Sequence, residues 1–364
     1  MLVAQFKNEI DRNLTQEPTG FVKPEDVGQS YDSTTRKVTL TADCRALWRG
    51  APIESLVSGW VSEAHDDVVG PWFLYYNGTA FVWSQLAWEF DKVMIAFVDY
   101  QTAYKFAIRE PHGLMPYQSH RADHKTVGTY RESGGDVSGY VLNSTTAANR
   151  RPLISECTIW DEDIKTVNAA LTTESYTRMW LSGAAGAVNF ATASADIVAL
   201  TGNNPLYNQF TGGAWQQTLL PNNQYMCLWL MEVPVTDDAG SQAFRHVWLQ
   251  GQSQGSLASQ QALTTNNLNM GEWGALIPEF VFIQKVIIRY TTGNWIWVET
   301  SPLTGSRAVQ VSSVSGFFLS SVNHDATLTG SGTTEDLLSL SGLHPNGLPL
   351  ATGGDTVLDA LYFG

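Results

Sequence analysis

The sequence predicts an all-β protein of tandem β-sandwich-like domains, with a short N-terminal helix, a small helical junction and a Gly/Thr-rich C-terminal β module. Three observations carry that expectation. Polar and apolar residues alternate with a period of two, as in Lys37-Val38-Thr39-Leu40-Thr41. Aromatic and β-branched runs flank short turn signals, above all Asn77-Gly78 between residues 72–76 and 79–83. The chain holds 13 Trp, 13 Tyr and 15 Phe but is only 15% charged, against about 25% in an average globular domain. Such a composition suits broad apolar faces buried between sheets or against other subunits.

The elements follow in order. Residues 1–27 are expected to form a helical anchor, because Leu2, Val3, Phe6, Ile10 and Leu14 fall on one stripe opposite Asn8, Asp11 and Arg12. A single helix of this length is marginal alone, so the stripe needs a partner protein, other copies of the chain or its own domain. Residues 28–118 form a first β-domain. It contains the strand around Val38, the Asn-Gly hairpin, and strands at 92–100 and 103–109 joined by a tight turn at Gln101-Thr102. Residues 119–185 form a polar junction marked by Gly134-Gly135 and Ala147-Ala148-Asn149. Within it Asp161-Glu162-Asp163 precedes Ile164, Val167 and Leu171, which predicts a short helix with acids in its first turn, where they suit the dipole.

Residues 186–304 form a second β-domain that repeats the spacing of the first. Tyr76, Trp83 and Met94 are matched by Tyr207, Trp215 and Met226 at an offset of 131 or 132 residues, which suggests a duplicated β-domain. Residues 285–290 and 295–298, around Thr291-Thr292-Gly293-Asn294, form a further hairpin that completes this copy. Residues 305–364 are rich in Ser, Gly and Thr, with Pro345, Gly347, Pro349 and Gly353-Gly354 and a few isolated apolar residues. Too few apolar side chains are present to close a core, so this module is expected to lean on neighbouring subunits.

Charge excludes several partners. Asp and Glu number 35 against 21 Lys and Arg, a net charge of -14. A nucleic-acid partner is not expected, because phosphates call for a basic footprint, and an anionic membrane surface is disfavoured for the same reason. No apolar run approaches the ~18 residues of a membrane span. Residues 1–14 carry Lys7, Glu9, Asp11 and Arg12 in place of an apolar signal core, so export by a signal peptide is not expected. Cys44, Cys157 and Cys227 are odd in number and far apart, which argues against a disulfide framework and a thiolate metal site. Buried free thiols in a chain made in a reducing cytoplasm are expected.

No catalytic residue and no cofactor is expected. Gly251-x-Ser253-x-Gly255 has the spacing of a nucleophile elbow, but such an elbow joins a strand to a helix in an α/β fold, and here it follows a β run. The carboxylates Glu89, Asp91, Asp99, Glu110, Glu232, Glu272, Glu279 and Glu299 are scattered; a glycosidase pair needs a spatial separation that no motif here announces. Gly183 to Gly186 lacks the Lys-Ser/Thr of a phosphate-binding loop. His112, His120 and His124 are the metal-ligand candidates, with Glu110 and Asp123 nearby. His120 and His124 are four apart, one face of a helix. Zinc or iron needs a further ligand; copies meeting on a threefold axis would supply one, and histidines hydrogen-bonded within a domain junction are the plainer expectation. Trp72, Trp83, Trp88, Trp215, Trp229, Trp248, Trp273, Trp295 and Trp297 could stack on sugars, but core and subunit packing is the ordinary use of such residues.

One stretch speaks to function. Asn323-His324-Asp325-Ala326-Thr327-Leu328-Thr329-Gly330-Ser331-Gly332-Thr333-Thr334, followed by Leu337, Leu338 and Leu340, resembles a segment that recurs in tail fibres and other tail appendages of bacteriophages. The shared pattern is aspartate–x–threonine–leucine–threonine–glycine–x–glycine–threonine. Residues 19–26, residues 31–41 and Gly128-Thr129-Tyr130-Arg131-Glu132-Ser133-Gly134-Gly135 also look like phage virion proteins. The resemblance implies a structural, homotrimeric virion subunit, made in the host cytoplasm and joined to other tail or baseplate proteins through its N-terminal segment. It implies attachment to a host-surface glycan or protein through many weak contacts. A head fibre or capsid decoration protein, a tail-associated glycan depolymerase and a non-viral carbohydrate-binding module are the alternatives.

Overall fold

The computed structural model describes residues 17–303, apart from 88, 89, 237 and 239, and two short strands beyond them. The expected N-terminal helix stripe at residues 2–14 lies outside the described residues, as do Trp88, Glu89 and most of the 305–364 module. The fold is all-β, as the two-residue period predicts. Residues 17–303 belong to one compact unit; apart from it, Leu328–Thr329 pairs antiparallel with Ser339–Leu340.

Strands β1 (Gly28–Asp32) and β2 (Lys37–Thr41) form a hairpin in which Tyr31, Val38 and Leu40 are buried. A four-stranded antiparallel sheet follows, made of β3 (Gly70–Tyr76), β4 (Phe81–Ser84), β5 (Val93–Tyr100) and β6 (Lys105–Arg109), in the order β4-β3-β5-β6. The Asn-Gly signal does form its hairpin. Asn77 Oδ1 accepts from the backbone N–H of Thr79 and of Ala80, both at 3.0 Å, and closes the loop. A β-bulge interrupts the register between Leu74 and Tyr75 opposite β5. It shifts the alternation of β5, so Val93 and Ile95 before it and Ala96 and Val98 after it face the same apolar cluster.

Helix α1 (Tyr117–Thr126) comes next, in the junction where a helix was expected but at other residues. It stops at Gly128, whose φ of +51° and bond to the Asp123 carbonyl make a left-handed cap. Then β7 (Thr129–Gly134), β8 (Cys157–Asp161) and β9 (Ile164–Asn168) form a three-stranded sheet. The helix predicted from Asp161-Glu162-Asp163 is therefore a β-hairpin: Asp161 pairs with Ile164 across a two-residue turn. Residues 157–161 alternate buried and half-buried, with Cys157, Ile159 and Asp161 inside. That period of two overrides the dipole signal of the acidic run.

The largest sheet has six strands. It contains β10 (Tyr176–Ser182), β11 (Ala187–Ser194), β14 (Tyr225–Glu232), β15 (His246–Leu249), β16 (Val281–Thr291) and β17 (Asn294–Pro302), in the order β11-β10-β15-β14-β16-β17. Only β10 and β15 run parallel. Between β11 and β14, β12 (Asn204–Thr211) and β13 (Ala214–Leu219) form a hairpin in a separate small sheet. The proposed repeats therefore differ in topology: β3 of the β3–β4 hairpin pairs with β5, whereas β12–β13 stands apart from β14.

The two large sheets separate three apolar clusters. On β14, Cys227, Trp229 and Met231 face one cluster, and Met226, Leu228 and Leu230 face another. The first of these also takes Phe97, Phe106 and Ile108 from the four-stranded sheet, so the segments expected as two β-domains share a core. The opposite face of the four-stranded sheet packs Leu74, Val98 and Ala107 against Tyr31, Val38 and Leu40. Trp229, Trp248, Trp295 and Trp297 are buried in these layers, in the core role expected of them.

Candidate functional site

Charged side chains gather at the seam between the four-stranded sheet and the β7–β9 sheet. Glu110 and His112 leave the end of β6; the Glu110 N–H donates to the Ile95 carbonyl and the His112 carbonyl accepts from Phe21, which fixes their backbone. His120 and His124 lie one turn apart on α1. Asp161, Glu162 and Asp163 come from the β8–β9 turn, where Glu162 adopts a φ of +52°, a region costly for a residue with a side chain. Glu279 ends the 3-10 segment Gly271–Glu279. Gly128 lets that segment approach: a Cβ there would stand 3.2 Å from the Pro278 carbonyl oxygen.

Most of these groups are withdrawn from water: Glu110 and Asp161 are 0% exposed, His112 and His120 3%, Glu279 6% and Glu162 8%. Asp163 binds His112 Nδ1 at 2.8 Å through one oxygen and accepts from the Gly113 N–H at 2.6 Å through the other. His112 Nε2 is 3.4 Å from Glu110 Oε2. His124 Nδ1 is 2.8 Å from Glu162 Oε1, and its Nε2 is 3.4 Å from Glu279 Oε1. Asp161 accepts from Thr129 Oγ1 at 3.1 Å. Among the described residues, Glu110 Oε1, His120 Nε2 and Glu162 Oε2 are buried without a hydrogen-bond partner, and Asp161 and Glu279 are hydrogen-bonded to each other, a proton on one facing the other.

This crowding moves the protons. Burial, with the charges of His112 and His124, pushes His120 down to about 2 and keeps it neutral. Burial opposes charge on His112, but the hydrogen bonds to Asp163 and Glu110 and the Glu162 charge hold it well above the ordinary imidazole value. Burial and the Glu110 charge push Asp161 up to about 7. Glu279 is raised well above the usual carboxylate range by burial and by Glu110, Asp161 and Glu162. Two sets of ligand-type atoms lie within 4.8 Å of one another: His112, His120 and Glu162, and Glu110, His112 and Asp161. The arrangement can hold a cation or share protons among its carboxylates.

Sequence reasoning found the three histidines and Glu110, and it named Glu279 among scattered acids. The structure brings these together within one chain, without a threefold axis. Asp161, Glu162 and Asp163 were missed as site residues. The alternation of Cys157, Ile159 and Asp161 was the available signal, but Glu-Asp is not a turn dipeptide of the usual Asn-Gly or Asp-Gly kind. Asp123 lies on α1.

The other candidates lie elsewhere. Asp91 pairs with Arg49 and Lys92, Glu232 with His246, and Glu299 accepts from Gln261. Ser253 falls in the loop between β15 and helix α2 (Leu257–Gln261). The histidine nearest in sequence, His246, is engaged by Glu232 and the Ala169 carbonyl. Asp99 and Glu272 line a cavity of about 460 Å3 with Phe73, Phe97, Tyr104 and Trp273. Asp99 accepts there from Trp273 Nε1 at 3.0 Å, Tyr104 Oη at 3.1 Å and Gln101 Nε2 at 2.9 Å, and burial raises its carboxyl. Comparison with protein-family models, curated proteins and solved structures finds no match to this chain.

Proposed function

We propose that the chain is a non-enzymatic structural subunit of a bacteriophage tail fibre or related tail appendage, acting as a homotrimer in host-surface attachment. The observation that carries this reading is the Asp325-x-Thr327-Leu328-Thr329-Gly330-x-Gly332-Thr333 segment, set in an all-β chain. Sheets stacked through aromatic cores suit a rigid virion part. The cavity beside Asp99 supports the attachment role: it is mostly apolar, with a few polar groups converging on it, the usual character of a small-ligand site. Half-buried Phe73 and the exposed Glu272 at this cavity suit the apolar face and the hydroxyls of a sugar.

Antibody raised against the purified chain and applied to particles carrying it tests the proposal. Gold label at the tail tip or tail fibres is the expected result. Label spread over the capsid would overturn the tail assignment in favour of a head fibre or decoration protein. Release of oligosaccharide from host capsule or lipopolysaccharide by the purified chain would overturn the non-enzymatic part.

A further inference from the structure

We propose that His112, through Nε2, with His120 and Glu162 holds a divalent first-row transition-metal ion inside the chain, with the Glu110 carboxylate beside it. The inference is independent of the tail-appendage reading. It starts from atoms that lack partners where partners are most needed. His120 Nε2 and Glu162 Oε2 stand 3.7 Å apart, both buried and both without a hydrogen-bond partner among the described residues. Ligand atoms on one tetrahedral ion with bonds of about 2.1 Å are separated by about 3.4 Å. A shift of a few tenths of an ångström would therefore place an ion between them. Glu110 Oε1 is likewise buried and unpartnered, so the carboxylate beside His112 has a free lone pair, while Asp161 is hydrogen-bonded to Glu279.

The surroundings fit a metal centre. Asp163 fixes the His112 ring through Nδ1 at 2.8 Å and is itself fixed by the Gly113 N–H. A carboxylate holding the second nitrogen of a histidine is the usual support of a metal-ligating ring. His112, His124 and His120 reach Glu110, Glu162, Asp163 and Glu279 through imidazole–carboxylate pairs. Glu110 and Glu162 are buried carboxylates beside these rings, and a buried carboxylate is costly unless a cation or a full set of hydrogen bonds meets it. Mixed imidazole and carboxylate ligands without thiolate suit Zn2+, Mn2+, Fe2+ or Co2+ over Ca2+, Mg2+ or Cu+. The ion would tie the end of β6, α1 and the β8–β9 turn together.

The full chain, stripped with EDTA and dialysed, is titrated with Co2+, Zn2+, Mn2+ and Ca2+. At least one equivalent of Co2+ is expected to bind, with visible ligand-field bands that Zn2+ abolishes and Ca2+ does not. Zn2+ is expected to raise the thermal midpoint. Glu162→Gln and His120→Gln should each weaken binding by at least about tenfold, and Asp163→Asn by about 10–100-fold, as for a group that orients a ligand. Circular dichroism and melting in EDTA establish that each variant is folded. Should a variant fail to fold, the wild-type titration decides alone. A folded wild-type chain that binds no Co2+, Zn2+ or Mn2+ at micromolar ion would overturn the proposal. So would Ca2+ binding in preference to Zn2+, or folded variants that bind as the wild type does.

Discussion

Gly134 shows how much a single backbone position decides. It sits at a φ of +73°, and a Cβ there would lie 1.8 Å from the Glu156 carbonyl oxygen, a backbone atom that cannot move aside. Gly134→Ala is expected to destabilise by about 2–4 kcal/mol, read as a lowered denaturant midpoint; an unchanged midpoint would contradict the packing of β7 on β8. His246 makes a second residue-scale case. Burial disfavours charge on its ring, but the Glu232 charge and hydrogen bond at 2.7 Å, with the Ala169 carbonyl, hold it above the ordinary value. The folded state then binds a proton more tightly than the unfolded state. Stability from this pair is complete below about pH 6.5 and is lost as pH rises through the raised folded value. Glu232→Gln should cost about 2 kcal/mol at pH 6 and progressively less toward pH 9. Denaturation of both chains across that range checks it; a gap that widened with pH would refute the assignment.

Strand β14 is the element on which the layers depend. Its Cys227, Trp229 and Met231 enter one core and its Met226, Leu228 and Leu230 another. Trp229→Ala is expected to cost about 3–5 kcal/mol and Leu228→Ala about 2–5 kcal/mol. If the layers are one cooperative structure, fluorescence and circular dichroism should report a single shifted transition in both variants; two separate transitions would show that the cores fold independently. These elements were legible in the sequence. The run at 225–232 is apolar and aromatic and too short for a membrane helix, and the hairpins around Asn77-Gly78 and Gly293-Asn294 announce themselves by turn chemistry. The β8–β9 hairpin was not legible as such. Its turn is acidic, its strands are short, and Ile164, Val167 and Leu171 fall by chance on a helical spacing. The candidate site inherits that gap: the histidines could be named from sequence, but their carboxylate partners depend on a turn that local propensity does not specify.

At the scale of the whole molecule, the sequence conveys the class of fold better than its division. Residues 28–118 and 186–304 read as separate domains because each carries its own hairpins, yet Phe97, Phe106 and Ile108 of the first share a core with Trp229, Met231 and Phe282 of the second. Which face of a strand meets which partner sheet is a long-range fact that alternation alone leaves open. The likeness of Tyr76, Trp83 and Met94 to Tyr207, Trp215 and Met226 is likewise a likeness of local spacing, set into two different sheet orders. The proposed appendage role makes its firmest demand on assembly. Mass in solution, by light scattering or native mass spectrometry on the full chain, tests that demand most directly. The account predicts three chains per particle at micromolar concentration. A monomer whose melting transition does not depend on concentration would contradict it.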